Sequence, residues 1–171
     1  MIEHRLIEKM LAVIKDQIAV MRTRDRVNAV FIDAAVDFIR VYADKTHHGK
    51  EEDILFRDLA AKKISAEDKA AMQELVEEHR YARKTVAELV QAKEDCLAGR
   101  KEALKTVLDK LTILTEFYPE HIRREDEAFF PDTEKYFTRE EQDAMLQEFW
   151  EFDRKMIHEK YKSVVEYWKQ G

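Results

Sequence analysis

The chain has 171 residues and a net charge of −6, long enough for one domain with a real core. Three Gly and two Pro against abundant Glu, Lys, Ala, Leu and Arg favour helices over hairpins. Interspersed charge signs argue against a basic groove for nucleic acid, the single Cys96 excludes an intramolecular disulfide, and no apolar run approaches a membrane span.

No signal-peptide pattern opens the chain, so a soluble protein of a reducing, cytoplasmic compartment is expected. Cys96 follows Glu94 and Asp95, which raise a thiol's pKa, and reads as structural. The first predicted helix spans about 2–22, with Ile7, Leu11, Ile14 and Ile18 on one face. Thr23 to Asp25 offers an N-cap for the second, about 27–60, which carries Val27, Val30, Ala34, Phe38, Val41, Leu55 and Leu59. Ser65 and Asp68 resemble a capping box for the third, which runs to Ala98 and ends at Gly99.

The fourth runs from about 101 to Phe130 and stops at Pro131, while Pro119 kinks it or confines the hydrogen-bond break to one turn. Thr138 and Glu141 open a fifth, to about 168. Its stripe of Trp150, Ile157, Tyr161, Val164 and Trp168 needs a surface to cover, on the bundle or on a second subunit. Short connections between long helices force antiparallel neighbours. The expected fold class is all-α: an antiparallel up-down four-helix bundle (core 1–131) with an additional C-terminal helix (about 138–168), in a single domain.

Two segments 73 residues apart repeat one signature, His48-x-x-x-Glu52 and His121-x-x-x-Glu125, each with Asp next and Phe four residues after the Glu. Residues four apart on an α-helix point the same way, and imidazole beside carboxylate suits a first-row transition metal. His4 falls on the stripe of Ile7 and Leu11, and His79 lies between Leu75 and Ala82. Counting residues from each histidine to the intervening turn, at a rise of about 1.5 Å each, places all four at one depth.

A lone histidine on an apolar face is more commonly a hydrogen-bonded core residue. Four in one layer, accompanied by Glu52 and Glu125, reverse that reading. Two buried carboxylates without a cation repel and carry a large desolvation cost. The candidate metal ligands are therefore His4, His48, Glu52, His79, His121 and Glu125. His47 and Glu51 sit in the adjacent register, with Arg40 and Asp58, and read as outer or entrance residues. His158 flanks the last helix's stripe and reads as a surface or packing residue.

This pattern resembles the hemerythrin-like family, the HHE cation-binding domains. His4, His48-x-x-x-Glu52, His79 and His121-x-x-x-Glu125 match its order of ligands over residues 1 to about 131. The resemblance implies a non-haem di-iron centre with an oxo or hydroxo bridge. It places His4 and His48 on one iron, His79 and His121 on the other, and Glu52 and Glu125 across both. Oxygen carriers of the family have five histidines, with a pair four apart on the third helix. Here Leu75 and Arg83 flank His79, so four imidazoles are expected, leaving about one exchangeable position per iron unless Tyr118 or His47 closes it.

Open positions suit reaction with dioxygen, peroxide or nitric oxide more than long-lived reversible carriage. The implied function is to bind, sense or react with such a ligand. The alternative is iron storage, iron sensing or iron donation for iron–sulfur cluster repair. A purely structural metal is disfavoured, because such sites normally have closed coordination. The expected partners are a small diatomic or peroxide ligand and either a second copy or a redox protein, with no nucleic acid and no membrane.

Overall fold

The computed structural model describes residues 2–100 and 102–169, without the side chains of 159 and 161–169. Five long helical runs account for nearly all of it, and no strand occurs among the described residues. They are α1 (Ile2–Arg24), α2 (29–60), α3 (Ala66–Leu97), α4 (103–134) and α5 (Arg139–Lys169). None is long and apolar enough to cross a membrane.

Caps explain most boundaries. Asp25 takes the left-handed φ of 47° that ends α1, so it does not cap α2. Asn28 does, its side chain accepting from Phe31 N at 3.2 Å. Ser65 accepts from Asp68 N at 3.0 Å, and Gly99 ends α3 at φ 85°. Thr138 and Glu141 satisfy each other's backbone N–H at 2.9 and 3.3 Å, a reciprocal capping box for α5. Helix α4 continues through Pro119, and Pro131 does not stop it: Pro131 opens the final α-helical turns, Phe130–Glu134.

Two runs are not uniformly α-helical. Within α2, Ile39–His48 and Glu51–Phe56 are π-helical, and within α4 so is Glu125–Phe129. The inward face of α2 is also not the expected one. Val30 is exposed and Ala34 faces solvent, while Ile32, Ala35, Val36, Ile39 and Ala43 are buried. The face read for α1 (Ile7, Leu11, Ile14, Ile18) is the buried one.

Ion pairs give helix directions. Glu88 pairs with Lys110 and Glu74 with Arg124, so α3 and α4 run antiparallel. Helix α5 lies antiparallel along α2, through Lys62–Glu141, Arg57–Glu148, Lys50–Asp153 and Asp37–Lys160. The face it lays down is not the expected stripe: Trp150 and Ile157 are exposed, and Tyr161, Val164 and Trp168 lie outside the described side chains. Met145, Phe149, Phe152 and Met156 are the half-buried apolar residues instead. Apolar residues occupy both faces of this segment, so periodicity alone does not choose between them. The main apolar core reaches Ile7, Ala43, Ala82 and Ile122, and a smaller cluster of Phe56, Leu59, Leu75 and Phe129 lies beyond. Between the two sits a layer of histidine and glutamate.

Candidate metal centre

A π-helix closes i→i+5 hydrogen bonds and so takes more residues per turn than an α-helix. Residues four apart then stay nearly in line instead of drifting around the axis. Ile39, Ala43, His47 and Glu51 form such a straight, buried stripe. The smaller turn per residue also lets His48, next to His47, face inward. His47 and His48 are 1% and 0% exposed. Glu51 is 3% exposed, whereas the Glu52 side chain is 26% exposed.

The inward atoms gather into two groups. His4, His47, Glu51 and Glu125 offer ligand atoms within 4.8 Å of one another, and so do His48, His79 and His121. The two carboxylates reach both groups. Glu51 Oε1 lies 3.5 Å from His47 Nε2, and its Oε2 3.5 Å from His79 Nε2. Glu125 Oε2 lies 3.3 Å from His4 Nε2, and its Oε1 3.3 Å from His121 Nε2. The rings of His48 and His79 stack with centroids 3.8 Å apart.

The outward nitrogens meet carboxylates. His4 Nδ1 lies 3.0 Å from Asp126, His47 Nδ1 3.2 Å from Glu3, His79 Nδ1 2.7 Å from Glu52 and His121 Nδ1 2.7 Å from Glu78. His48 Nδ1 faces Asp44 at 3.4 Å, too far or too misaligned for a hydrogen bond. Each carboxylate is in turn held by a cation: Arg5 on Asp126, Lys50 on Glu3, Arg124 on Glu78, and Arg83 on both Glu52 and Asp44. A carboxylate accepting Nδ1–H fixes the tautomer that turns the bare Nε2 inward, as metal-binding histidines require.

That arrangement leaves the centre unsatisfied by the protein alone. Both Glu51 oxygens, both Glu125 oxygens and the Nε2 atoms of His48, His79 and His121 are buried without a hydrogen-bond partner. His4 Nε2 and His47 Nε2 approach to 2.8 Å although both Nδ1 protons are committed elsewhere, so two lone pairs face each other. Unpaired buried carboxylates cost several kcal/mol each, roughly, even after relaxation. Cations in the two groups would satisfy every one of these atoms. The donor set, imidazole and carboxylate with no thiolate, fits a first-row transition metal.

Protonation follows the same geometry. Burial, then the Glu125 charge, pushes the Glu51 carboxyl well above its usual range. Burial also raises Glu125, but His4, His79 and the charges around them outweigh it and hold that carboxyl low. Burial drives His48 well below its usual value and His121 down to about 4. His79 is raised: contacts with Glu125 and Glu52 overcome its burial.

Of the six residues expected as ligands, His4, His48, His79, His121 and Glu125 are brought together. Glu52 is not: it points to the edge, between His79 Nδ1 and Arg83. Glu51 stands where Glu52 was expected, and His47, expected at the entrance, is inside. The expected grouping changes too, with His48 joining His79 and His121 rather than His4. The sequence carries one signal of this, the uninterrupted four-residue spacing of 39, 43, 47 and 51. Tyr118 is buried with its hydroxyl unpartnered, its ring 6.2 Å from His48, and burial pushes its phenol upward, away from phenolate. His158 is exposed.

A family profile described as Hemerythrin HHE cation binding domain matches residues 1–133. No curated protein and no solved structure matches the chain.

Proposed function

The chain belongs to the hemerythrin HHE cation-binding domain family, and from that premise we propose that it holds two iron ions and binds dioxygen, peroxide or nitric oxide at one of them. In this reading α1 to α4 form an antiparallel four-helix bundle around the pair. His4 and His47 hold one ion, His48, His79 and His121 the other, and Glu51 and Glu125 span both.

The supporting observation is the asymmetry of the donors. One side has two imidazoles and two carboxylate oxygens, the other three imidazoles and the two remaining oxygens. An octahedral ion takes about six donors, so the His4 and His47 side keeps more room for a small ligand. His48 supplies from the second helix the imidazole that the third helix lacks. In this reading His47 closes one of the positions that the expected four-imidazole centre left exchangeable, which makes a five-imidazole centre open chiefly at one ion. Reduced iron would supply electrons to a bound oxidant.

The protein's part is to hold five rings with bare nitrogens inward and to exclude bulk water. The seven donor residues are all 3% exposed or less.

Metal analysis should give close to two irons per chain. Nitric oxide titrated into the anaerobic, reduced protein should then bind at one per iron pair, followed by its optical and spin-resonance signals. Two per pair would mean both ions are open and would return the centre to four imidazoles. No uptake would end the small-ligand reading.

A further inference from the structure

A cleft of about 500 Å3 lies between α5 and the adjoining parts of α2 and α4, on the His47 side of the centre. Small-molecule sites measure roughly 300–1,000 Å3, so this is far more room than a diatomic ligand uses. Its walls are apolar, with Leu55 and Phe130 on the core helices facing Met145, Leu146 and Phe149 on α5. Its floor is polar. His47 and Glu51 line it.

Charge narrows the occupant. Glu3, Asp126 and Glu134 stand on the lining, Glu3 paired with Lys50 and Asp126 with Arg5, and among the described residues Lys50 is the cation there. Lys50 is already held by Glu3 and Asp153. An organic anion would meet carboxylates and no uncommitted cation, and its desolvation would go uncompensated. A neutral molecule escapes that penalty, and an apolar body matches the walls.

We propose that this cleft binds an uncharged organic molecule with an apolar ring or short alkyl body and one small polar head, the head turned toward His47 and Glu51. The two-ion reading decides what that head meets; binding in the cleft does not depend on it.

Calorimetric titration of the iron-loaded, oxidised protein with benzyl alcohol and with benzoate tests the proposal. Benzyl alcohol should bind, and benzoate should bind about tenfold more weakly or worse. Met145→Trp, which fills the cleft from the α5 wall, should weaken benzyl alcohol by about tenfold with iron content unchanged, whereas Met145→Leu should not. No saturable heat, tighter binding of benzoate, or indifference to Met145→Trp would each overturn it. A dimer that Leu146→Arg dissociates would give the cleft to a second copy and would overturn it as well. Loss of benzyl alcohol binding with the nitric oxide stoichiometry intact fails the cleft alone. Binding without an iron pair fails the function reading alone.

Discussion

The segments 47–56 of α2 and 121–129 of α4 look like copies in sequence and are wound differently. In α4 the turns up to Arg124 are α-helical, and Tyr118, His121, Ile122 and Glu125 face inward at ordinary spacing. In α2 the winding is π-helical from Ile39, and two adjacent histidines face inward together. The matching pairs are thus His47 with Glu51 and His121 with Glu125, 74 residues apart rather than 73. Phe56 and Phe129 still meet, with ring centroids 5.5 Å apart, although one lies five residues after its glutamate and the other four. A wider helix presents two buried imidazoles where an α-helix presents one, so α2 brings an extra inward ring without one being added to α3. π-Helical turns are frequent at functional sites for this kind of reason.

The largest test of the comparison is to remove the carboxylates. Glu51→Ala and Glu125→Ala each take an oxygen from both halves, and each should strip the pair, with iron per chain falling to one or below after dialysis. Glu52→Ala should keep both ions and lose about 10–100-fold in affinity, the usual cost of removing a histidine's outer acceptor. If Glu52→Ala emptied the site and Glu51→Ala did not, the α-helical register of His48 and Glu52 would be restored.

Much of the molecule is legible in its sequence, and the departures within the metal-binding layer share one cause. The five helices, the caps at Ser65 and Thr138, and the common depth of His4, His48, His79 and His121 follow from periodicity and rise per residue. These are averages over many turns, and a local change of pitch hardly moves them. The choice between Glu51 and Glu52 rests on one residue within one turn. A pitch of 3.6 residues per turn aligns His48 with Val41 and Leu55 and sends His47 outward. Matching Phe56 to Phe129 reinforces the wrong register. Hydrogen bonds closing five residues back leave no composition signal, so the change of pitch shows only in the unbroken spacing of Ile39, Ala43, His47 and Glu51.

A smaller effect separates the two glutamates by pH. The chelated protein should remain helical, since the apolar clusters on either side of the centre persist, but should melt at a lower temperature. Glu51 has a folded value above its unfolded one, so the stability it contributes is full below about pH 4.3 and declines as pH rises through the folded value. His79, also raised, acts in the same direction. Glu125 is depressed, so its contribution is present at neutral pH and lost in acid. His48 and His121 are depressed as well, and their contribution fades only as pH falls below about 6.5. The decline from Glu51 and His79 as pH rises should therefore be seen in melts of the chelated protein. Glu51→Gln should flatten it. Loaded protein should show no such decline, because the metal displaces the proton from Glu51. Equal pH slopes with and without chelator would mean that Glu51 is not the protonated partner.

The smallest test concerns what covers each segment. Two residues after its inward histidine, α2 has Gly49 beneath α5, while α4 has Arg123 in solvent, its side chain 53% exposed. A Cβ built on Gly49 would come within 2.9 Å of the Phe152 ring, so the absence of a side chain lets α5 lie close over His47. Gly49→Ala brings two opposed changes: about 1 kcal/mol gained from helix propensity, and a displaced Phe152. The melting temperature should move by only a few degrees in either direction. Amide exchange around 149–156 should nevertheless quicken as α5 loosens, while Arg123→Ala changes neither quantity. A raised melting temperature with exchange unchanged would show that the ring slides aside at no cost, and that the bare position under α5 is not what seats it.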